Sequence, residues 1–360
     1  MVRGSVLERA RVVVEACVTE EGFNASTGAY RELWLRDLVY SEEPLLRLGY
    51  GQTVRRHLET FLRHQLKGGQ LPTVVSKGWR RIFNQRFHSW TADTEILFLI
   101  GAANYTKLTG DSDFLGANHE RLDRCLEVVE RKLNHLGLIP GADWRDAVVN
   151  HQGRFLLSNQ ALLVDMYDAL GRRENSDNLK ETIRDVFDLS GFGYLADCAW
   201  WEGRALRLEP RLDCMGNSLS ILNGVLSGKA AVEAARRFEA ARTAHGYRNL
   251  APPISIQRSH AFSSVRSVNS FVRNGAVFRN RRDHYQNSAI WPLVEGKIVA
   301  AFRKLALEKE ARELSVMMMQ REGFHEWYSP VTGQPGGSSG QLWTAAAVID
   351  QALAAENRVE

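Results

Sequence analysis

The chain has 360 residues, 44% of them hydrophobic and 24% charged, with a formal net charge of +4. This is the composition of an ordinary soluble globular protein with ample core, and the length admits two domains or one large helical one. The small net charge argues against nucleic acid as a partner, and no run of eighteen apolar residues suggests a membrane span.

Helical periodicity dominates and strand signals are sparse. In chain order, the spacing predicts helices over 5–18, 36–48, 52–66, 92–107, 117–135, 155–171, 176–188, 214–226, 229–243, 287–305, 307–321 and 340–355. Two kinds alternate. Residues 119–136 place Leu122, Cys125, Leu126, Val129, Leu133 and Leu136 on one face and charges on the other, the mark of a helix with one wet side. The preceding segment, Ile96-Leu97-Phe98-Leu99-Ile100-Gly101-Ala102-Ala103, is apolar all round. The contrast recurs: 155–171 is apolar and 176–188 charged, while 287–305 is apolar and 307–321 carries Glu308, Lys309, Glu310, Arg312 and Glu313. The last helix, with Ala345-Ala346-Ala347-Val348-Ile349, is again of the dry kind.

Six dry helices alternating with six wet ones predict an all-α fold, an (α/α)6 toroid of six hairpins with the dry helices inside. One such domain accounts for residues 1–360. A solenoid is the competing architecture, but it requires a repeated unit, and no fixed-spacing repeat is found. In a toroid all inner helices run parallel, so their N-termini meet at one end. Two connections, 189–213 and 244–285, are long enough to be functional or to carry strands of their own, and are expected over that end. The second holds Arg248, Arg258, Arg266, Arg273, Arg279, Arg281 and Arg282 against a single acid, Asp283. It reads as a solvated rim or as a site for an anionic substrate group.

Tryptophan and acid recur together just ahead of the dry helices: Trp34-Leu35-Arg36-Asp37, Trp90-Thr91-Ala92-Asp93, Asp143-Trp144-Arg145-Asp146, Trp200-Trp201-Glu202 and Glu326-Trp327-Tyr328. Indole faces stack on the C–H faces of sugars, and carboxylates bind hydroxyls and catalyse glycosidic cleavage. Hydrolysis needs one carboxylic acid to protonate the leaving oxygen and a second carboxylate opposite. Inverting enzymes hold the two roughly 6.5–9.5 Å apart, leaving room for a water. The candidates are Asp37, Asp93, Asp143, Asp146, Glu202, Asp213 and Glu326.

Gly141-Ala142-Asp143-Trp144-Arg145-Asp146-Ala147, followed by Asn159-Gln160-Ala161-Leu162-Leu163, resembles the Trp-Met-Asp-Ala block of glycogen-debranching amylo-α-1,6-glucosidases and the matching block of alkaline/neutral invertases. His284-Tyr285-Gln286-Asn287-Ser288-Ala289-Ile290-Trp291-Pro292 resembles their Tyr-His-Asn-Gly and Trp-Pro segment. Phe324-His325-Glu326-Trp327-Tyr328, with Gln341-Leu342-Trp343-Thr344 following, resembles their segment around the catalytic Glu. Trp34-Leu35-Arg36-Asp37 is similar to the Trp-x-Arg-Asp of several (α/α)6 glycosidases, and the mannosylglycerate and glucosylglycerate hydrolases share this architecture and similar blocks. The resemblance implies Asp146 as general acid and Glu326 as general base. Arg36 and Asp37 would hold hydroxyls of the terminal ring. Tyr285, Asn287 and Trp291 would line the sugar site, with Gln341 and Trp343 nearby, and Asp93 would be a further sugar contact. Trp34, Trp90, Asp143, Trp144 and Trp327 complete the expected substrate-binding set. Arg145 stands where debranching enzymes often carry Met. Unless it turns away, to Asp143 for example, its charge opposes the raised pKa that a general acid needs.

Plainer roles stay open. Asp143 fits a helix cap or a partner of Arg145, Arg36–Asp37 fits a buried ion pair, and Asp93 fits a helix N-cap. The leading expectation is an inverting exo-glycosidase releasing a terminal sugar, glucose first, from a small α-glucoside or oligosaccharide. Sucrose cleavage and hydrolysis of glucosylglycerate or mannosylglycerate are the alternatives. A sugar epimerase on the same fold would need paired histidines, for which His88, His284 and His325 are the candidates. A non-catalytic sugar-binding scaffold would leave the two carboxylates unexplained. Cys17, Cys125, Cys198 and Cys214 show no disulfide or metal spacing, and no cofactor or metal is implied. The first residues lack the apolar run of a signal peptide, so a cytoplasmic monomer or small homo-oligomer is expected.

Overall fold

The twelve helices expected from periodicity are all present in the computed structural model, which describes residues 5–76, 91–148, 151, 153–189, 191–255 and 280–356. Helix α1 (Val6–Cys17) starts at a capping box in which Ser5 accepts from the Glu8 amide and Glu8 accepts from the Ser5 amide. There follow α2 (Leu35–Arg47), α3 (Gly51–Arg63), α4 (Asp93–Thr109), α5 (Ser112–Lys132), α6 (Leu157–Ala169) and α7 (Arg173–Phe187). The remainder are α8 (Cys214–Leu222), α9 (Gly228–Arg237), α10 (Pro292–Lys304), α11 (Glu308–Gln320) and α12 (Leu342–Glu356).

The dry helices pack on one another in a closed cycle, α2 on α4, α4 on α6, α6 on α8, α8 on α10, α10 on α12 and α12 back on α2. The wet helices lie against them: α1 on α12, α3 on α2 and α4, α5 on α4, α7 on α6, α9 on α8, and α11 on α10 and α12. Burial follows the same division. Every residue of α4 from Asp93 to Ala102 is buried, whereas α7 buries only Ser176, Leu179, Ile183 and Phe187. In α5 the expected stripe holds, with Cys125, Leu126 and Val129 buried and Leu122, Leu133 and Leu136 packed at its edge. Among the described residues no helix is long and apolar enough to cross a membrane.

Strands are more numerous than the sequence suggests, though short. The pairs β1 (Val18–Thr19)/β2 (Gly22–Phe23) and β3 (Leu33–Trp34)/β4 (Val74–Val75) flank α1 and α2. The 189–213 connection carries β6 (Ala196–Glu202) and β7 (Ala205–Asp213), one long hairpin. With β5 (Phe155–Leu156) and β10 (Leu250–Ala251) it forms a four-stranded antiparallel sheet in the order β10-β7-β6-β5. The second long connection is preceded and entered by β8 (Arg242–Thr243), paired with β9 (Gly246–Tyr247). Finally β11 (Trp327–Tyr328) pairs with β12 (Pro335–Gly336) just ahead of α12.

Helix α10 begins five residues later than its periodicity suggests. Tyr285 (φ 50°) and Ser288 (φ 78°) occupy the left-handed region, which no right-handed helix can include, and Pro292 then opens the helix at a position where its missing N–H is harmless.

One buried group of the ring has no compensation. Glu42 on α2 is 1% exposed, beside Gly101 of α4, and among the described residues neither carboxylate oxygen has a hydrogen-bond partner. Burial holds its pKa well above 4.5, so the folded protein keeps a proton there that the unfolded chain releases. Stability contributed at this position is therefore lost as pH rises above about 4.5, by up to about 1.4 kcal/mol per pH unit until the folded pKa is reached. Glu42→Met is expected to raise unfolding stability by about 1–3 kcal/mol at pH 7 and by less at pH 5. Urea unfolding at both pH values checks this, and equal or lower stability of the variant at pH 7 would contradict it.

Candidate active site

Chain segments just ahead of the dry helices carry the clusters around Arg36–Asp37, Asp143–Asp146 and Glu326 to one site, whereas Trp200-Trp201-Glu202, expected to join them, ends β6 in an outlying hairpin. Strand β3 runs directly into α2, which puts Arg36 and Asp37 on its first turn, buried at 4% exposure each. Arg36 grips Asp93, the first residue of α4, with both ends of its fork: Nε donates to Oδ2 at 2.7 Å and Nη2 to Oδ1 at 3.0 Å. Nη1 donates to Asp146 Oδ2 at 2.8 Å, and Nη2 also reaches the Asp143 carbonyl at 3.1 Å. Three segments far apart in sequence thus meet on one guanidinium.

The loop bearing Asp146 is anchored from below by Arg145. This fully buried side chain turns away from Asp146, donating to Asp143 at 2.7 Å, with Asp197 at 2.9 Å and Asp213 at 3.3 Å. Asp143 also accepts from Ser158 and from the Arg145 amide, and His151 stands 3.6 Å from Asp197. The β-sheet explains the assembly, since Asp197 lies on β6 and Asp213 ends β7, where its carboxylate also caps α8. Burial raises the carboxyl of Asp213 to about 7 against the pull of Arg145, while arginine and histidine hold Asp143 and Asp197 below the usual carboxylate range despite burial. Among the described residues no group of three or more His, Cys, Asp or Glu side chains is arranged to hold a metal ion. The carboxylates around Arg145 close on its guanidinium instead.

From the other side the loop is clamped by Gln286. Its Oε1 accepts from the Ala147 amide at 2.9 Å, and its Nε2 donates to the Trp144 carbonyl at 2.9 Å and to Asp146 Oδ1 at 3.4 Å. Asn280 continues the clamp by donating to the Ala147 carbonyl at 2.8 Å.

Glu326 approaches on the hairpin ahead of α12. Its amide donates to the Ser338 carbonyl at 2.9 Å, and its Oε2 accepts from the Ser338 amide at 3.1 Å. Gly337 is required here: its φ is +72°, and a β-carbon would collide with the Glu326 carboxylate. The Tyr285 hydroxyl donates to Glu326 Oε1 at 3.3 Å. Burial pushes that phenol well above 10, reinforced by Glu326, Tyr30 and Asp146, so both candidate carboxylates bear on one hydroxyl. Asp37 stands next to Glu326 electrostatically. Burial and the Glu326 charge hold it well above the usual carboxylate range, against a 2.6 Å hydrogen bond from Gln341 Nε2.

The sequence-derived residues divide accordingly. Arg36, Asp37, Asp146, Tyr285, Glu326 and Gln341 come together. Asp93 and Asp143, expected on the sugar, are wholly buried and closed on arginines, because each lies one layer deeper than Asp146. Asn287 is also turned inward, accepting from the Ile254 amide at 2.7 Å and donating to the Ile254 and Asn280 carbonyls. The left-handed Tyr285 reverses the chain, so Gln286 rather than Asn287 faces the Asp146 loop. Trp144 and Trp291 are buried edge to face at 5.0 Å, and Trp291 extends the contact to Trp343 at 5.8 Å. Trp34 lies edge-on to Tyr30 at 5.9 Å, and Trp327 to His284 at 4.5 Å. Glu202 is exposed at the tip of the β6–β7 hairpin, paired with Arg207. Trp200 lies under the Arg154 guanidinium, 4.0 Å from the ring centroid. Trp90, His88, Arg258, Arg266, Arg273 and Arg279 lie outside the described residues. Of the other arginines in that connection, Arg248 pairs with Asp283 at 3.1 Å and Arg282 stands 3.6 Å from it.

This mostly helical fold is shared with known glycosidase structures. A GH63 mannosylglycerate hydrolase from Thermus thermophilus, in complex with Tris, superposes with a TM-score of 0.67 over 96% of this chain and 99% of that one, at 16% identity. A rhamnosidase from Klebsiella oxytoca superposes with a TM-score of 0.63 over 96% of this chain and 62% of its own, at 14% identity. Sequence similarity points to the same group. The chain is 34% identical over 89 residues to a mannosylglycerate hydrolase of Rubrobacter radiotolerans, covering 24% of this chain and 20% of that protein. It is 41% identical over 59 residues to a mannosylglycerate hydrolase of Thermus thermophilus, covering 16% and 14% respectively. These matches span a fifth or less of the curated relatives' length. No family model matches the chain. The chain therefore resembles (α/α)6 glycoside hydrolases in fold and mannosylglycerate hydrolases in local sequence.

Proposed function

We propose that this chain is an inverting, exo-acting glycoside hydrolase, a single (α/α)6-toroid catalytic domain that releases a terminal hexose from a small α-glycoside. The observation that carries the reading is that adjacent residues hold the two candidate carboxylates, which come from different loops: Tyr285 donates to Glu326 and Gln286 to Asp146. In this reading Glu326 takes a proton from water as the water oxygen attacks the anomeric carbon. Asp146 gives its proton to the departing oxygen as the glycosidic bond breaks. Tyr285 orients Glu326, and Asp37 with Gln341 faces the terminal ring.

Glycerate, or an acid of similar size, is the proposed aglycone. Support comes from the two mannosylglycerate hydrolases matched in sequence and from the structurally similar Thermus thermophilus hydrolase, whose structures include complexes with Tris and D-glycerate and with glucose. An oligosaccharide α-1,6-linkage or sucrose remains the second reading, favoured by the debranching-like blocks around Asp146 and Glu326.

Incubation with mannosylglycerate, glucosylglycerate, sucrose, isomaltose and panose, followed by anomeric-proton NMR from time zero, tests it. The expected result is one cleaved substrate, a β-hexose as first product, and turnover strongly reduced in Asp146→Asn. A first product of retained α configuration refutes the inverting geometry. Interconversion of free glucose and mannose without cleavage moves the chain to the epimerases.

A further inference from the structure

Asp93 fits neither role that its position in the sequence offers. It does not cap α4, whose N-cap is Ala92 without a side-chain hydrogen bond, and it is too buried to meet a sugar, with 0% exposure and both oxygens on Arg36. What it does touch is the cation that touches Asp146. Arg36 faces two carboxylates with one positive charge, its fork closed on Asp93 and only Nη1 left for Asp146.

We infer that Asp93 sets the charge felt by the candidate acid: by neutralising Arg36 it lets that guanidinium donate a hydrogen bond to Asp146 without locking the carboxyl in its ionised form. The inference rests on the reading of Asp146 as proton donor. A proton donor must hold its proton at working pH, and a bare guanidinium at 2.8 Å in a buried setting opposes that. A guanidinium already bound at both ends to a buried carboxylate is one half of a neutral pair, and it positions Asp146 with little net field. The charged and titratable groups that bear on Asp146 include Arg36 from α2, Asp93 from α4 and Tyr285 ahead of α10. Asp143, on the same loop, contributes its carbonyl to Arg36 and its carboxylate to Arg145. Asp93 is thus a positioning and charge-tuning residue rather than one that meets substrate.

The test is a double-mutant cycle in the full-length protein, read as the pH profile of kcat/KM on mannosylglycerate. Asp93→Asn strands the Arg36 charge on Asp146, so the alkaline limb is expected to fall by about one pH unit or more. The loss should be about tenfold or more at pH 8 and much smaller at pH 5. Arg36→Gln leaves Asp93 as a buried anion beside Asp146 and is expected to move the limb upward. The double variant should return it towards the wild-type position. A uniform loss at every pH with an unmoved limb in Asp93→Asn overturns the inference and marks Asp93 as merely structural. Should Asp93→Asn fail to fold, Arg36→Gln decides alone, and an unmoved or lowered limb overturns the inference.

A second measurement needs no turnover. The Asp146 carboxyl is titrated by carbon-13 NMR in aspartate-labelled protein, its resonance identified by its loss in Asp146→Asn. A midpoint shifted down in Asp93→Asn supports the charge coupling, and an unshifted one refutes it. If Asp146→Asn keeps the alkaline limb of the profile, the acid assignment fails by itself and the NMR midpoint still decides the coupling.

Discussion

Asp146→Asn is expected to lower kcat/KM on the cleaved glycoside by on the order of 10²–10⁴-fold, and Glu326→Gln by a similar factor. The two variants should part company when the leaving group is changed. An α-glycosyl fluoride departs without needing a proton, so most of the Asp146→Asn loss should be recovered on that substrate. Glu326→Gln should recover little, because water still has to be activated. The expectation follows from the site: Asp146 and Glu326 arrive from different loops, and Glu326 is held by the Ser338 amide and the Tyr285 hydroxyl. Neither substitution removes a charge from the Arg145 network, so both proteins should unfold at nearly wild-type denaturant concentrations. Steady-state kinetics on glycoside and fluoride, with urea unfolding alongside, provide the check. Equal recovery of both variants on the fluoride would exchange or void the two roles.

The ring of helices is readable because burial there is an all-or-none matter for a whole helix. A segment such as Asp93–Ala102 has no face fit for water, and its neighbour α5 has one, so the period of the sequence reveals which helix lies inside. The meeting of Arg36–Asp37 with the Asp146 and Glu326 segments is what that alternation leads one to expect, while Trp200-Trp201-Glu202 departs from it on the β6–β7 hairpin. Positions within the loops are less legible. Gln286 and Asn287 are adjacent polar residues in one block, and only the left-handed turn at Tyr285 decides which of them meets the Asp146 loop. Non-glycine residues seldom take such angles, so the sequence carries no signal for it. Asp197 carries none either. It becomes part of the site's foundation only because β6 pairs with β5 and β7 and so lies under the 143–146 loop. The hairpin itself is foreshadowed only by the length of its connection. Arg145 reads in the sequence as a danger to a neighbouring acid unless it turns to Asp143. It does turn there, and the cation beside Asp146 is Arg36, brought by α2 from 110 residues away.

Arg145→Met, which installs the residue often carried by the debranching enzymes, is expected to cost this protein about 3–5 kcal/mol of stability at pH 8. In this chain the position is the hub of a wholly buried network, and Asp143, Asp197 and Asp213 would be left without their shared cation. The sign of the pH dependence follows from their present state. Arg145 helps to hold Asp143 and Asp197 below the ordinary carboxylate range, so both now contribute stability that is present above it and lost as pH falls. Asp213, already raised to about 7 by burial, runs the opposite way. Without the arginine all three favour the protonated form, and the folded variant takes up protons that the unfolded chain releases. Its stability should therefore fall as pH rises, and its deficit against wild type should shrink between pH 8 and pH 5. Arg145→Lys should lie between the two, because one ammonium cannot present the planar fork that reaches three carboxylates. Urea unfolding of the three proteins at pH 5 and pH 8 measures this directly. A Met variant as stable as wild type at pH 8 would mean that burying three carboxylates around one arginine offsets its own desolvation cost and no more. The network's role would then be only to fix the direction of the Asp146 loop.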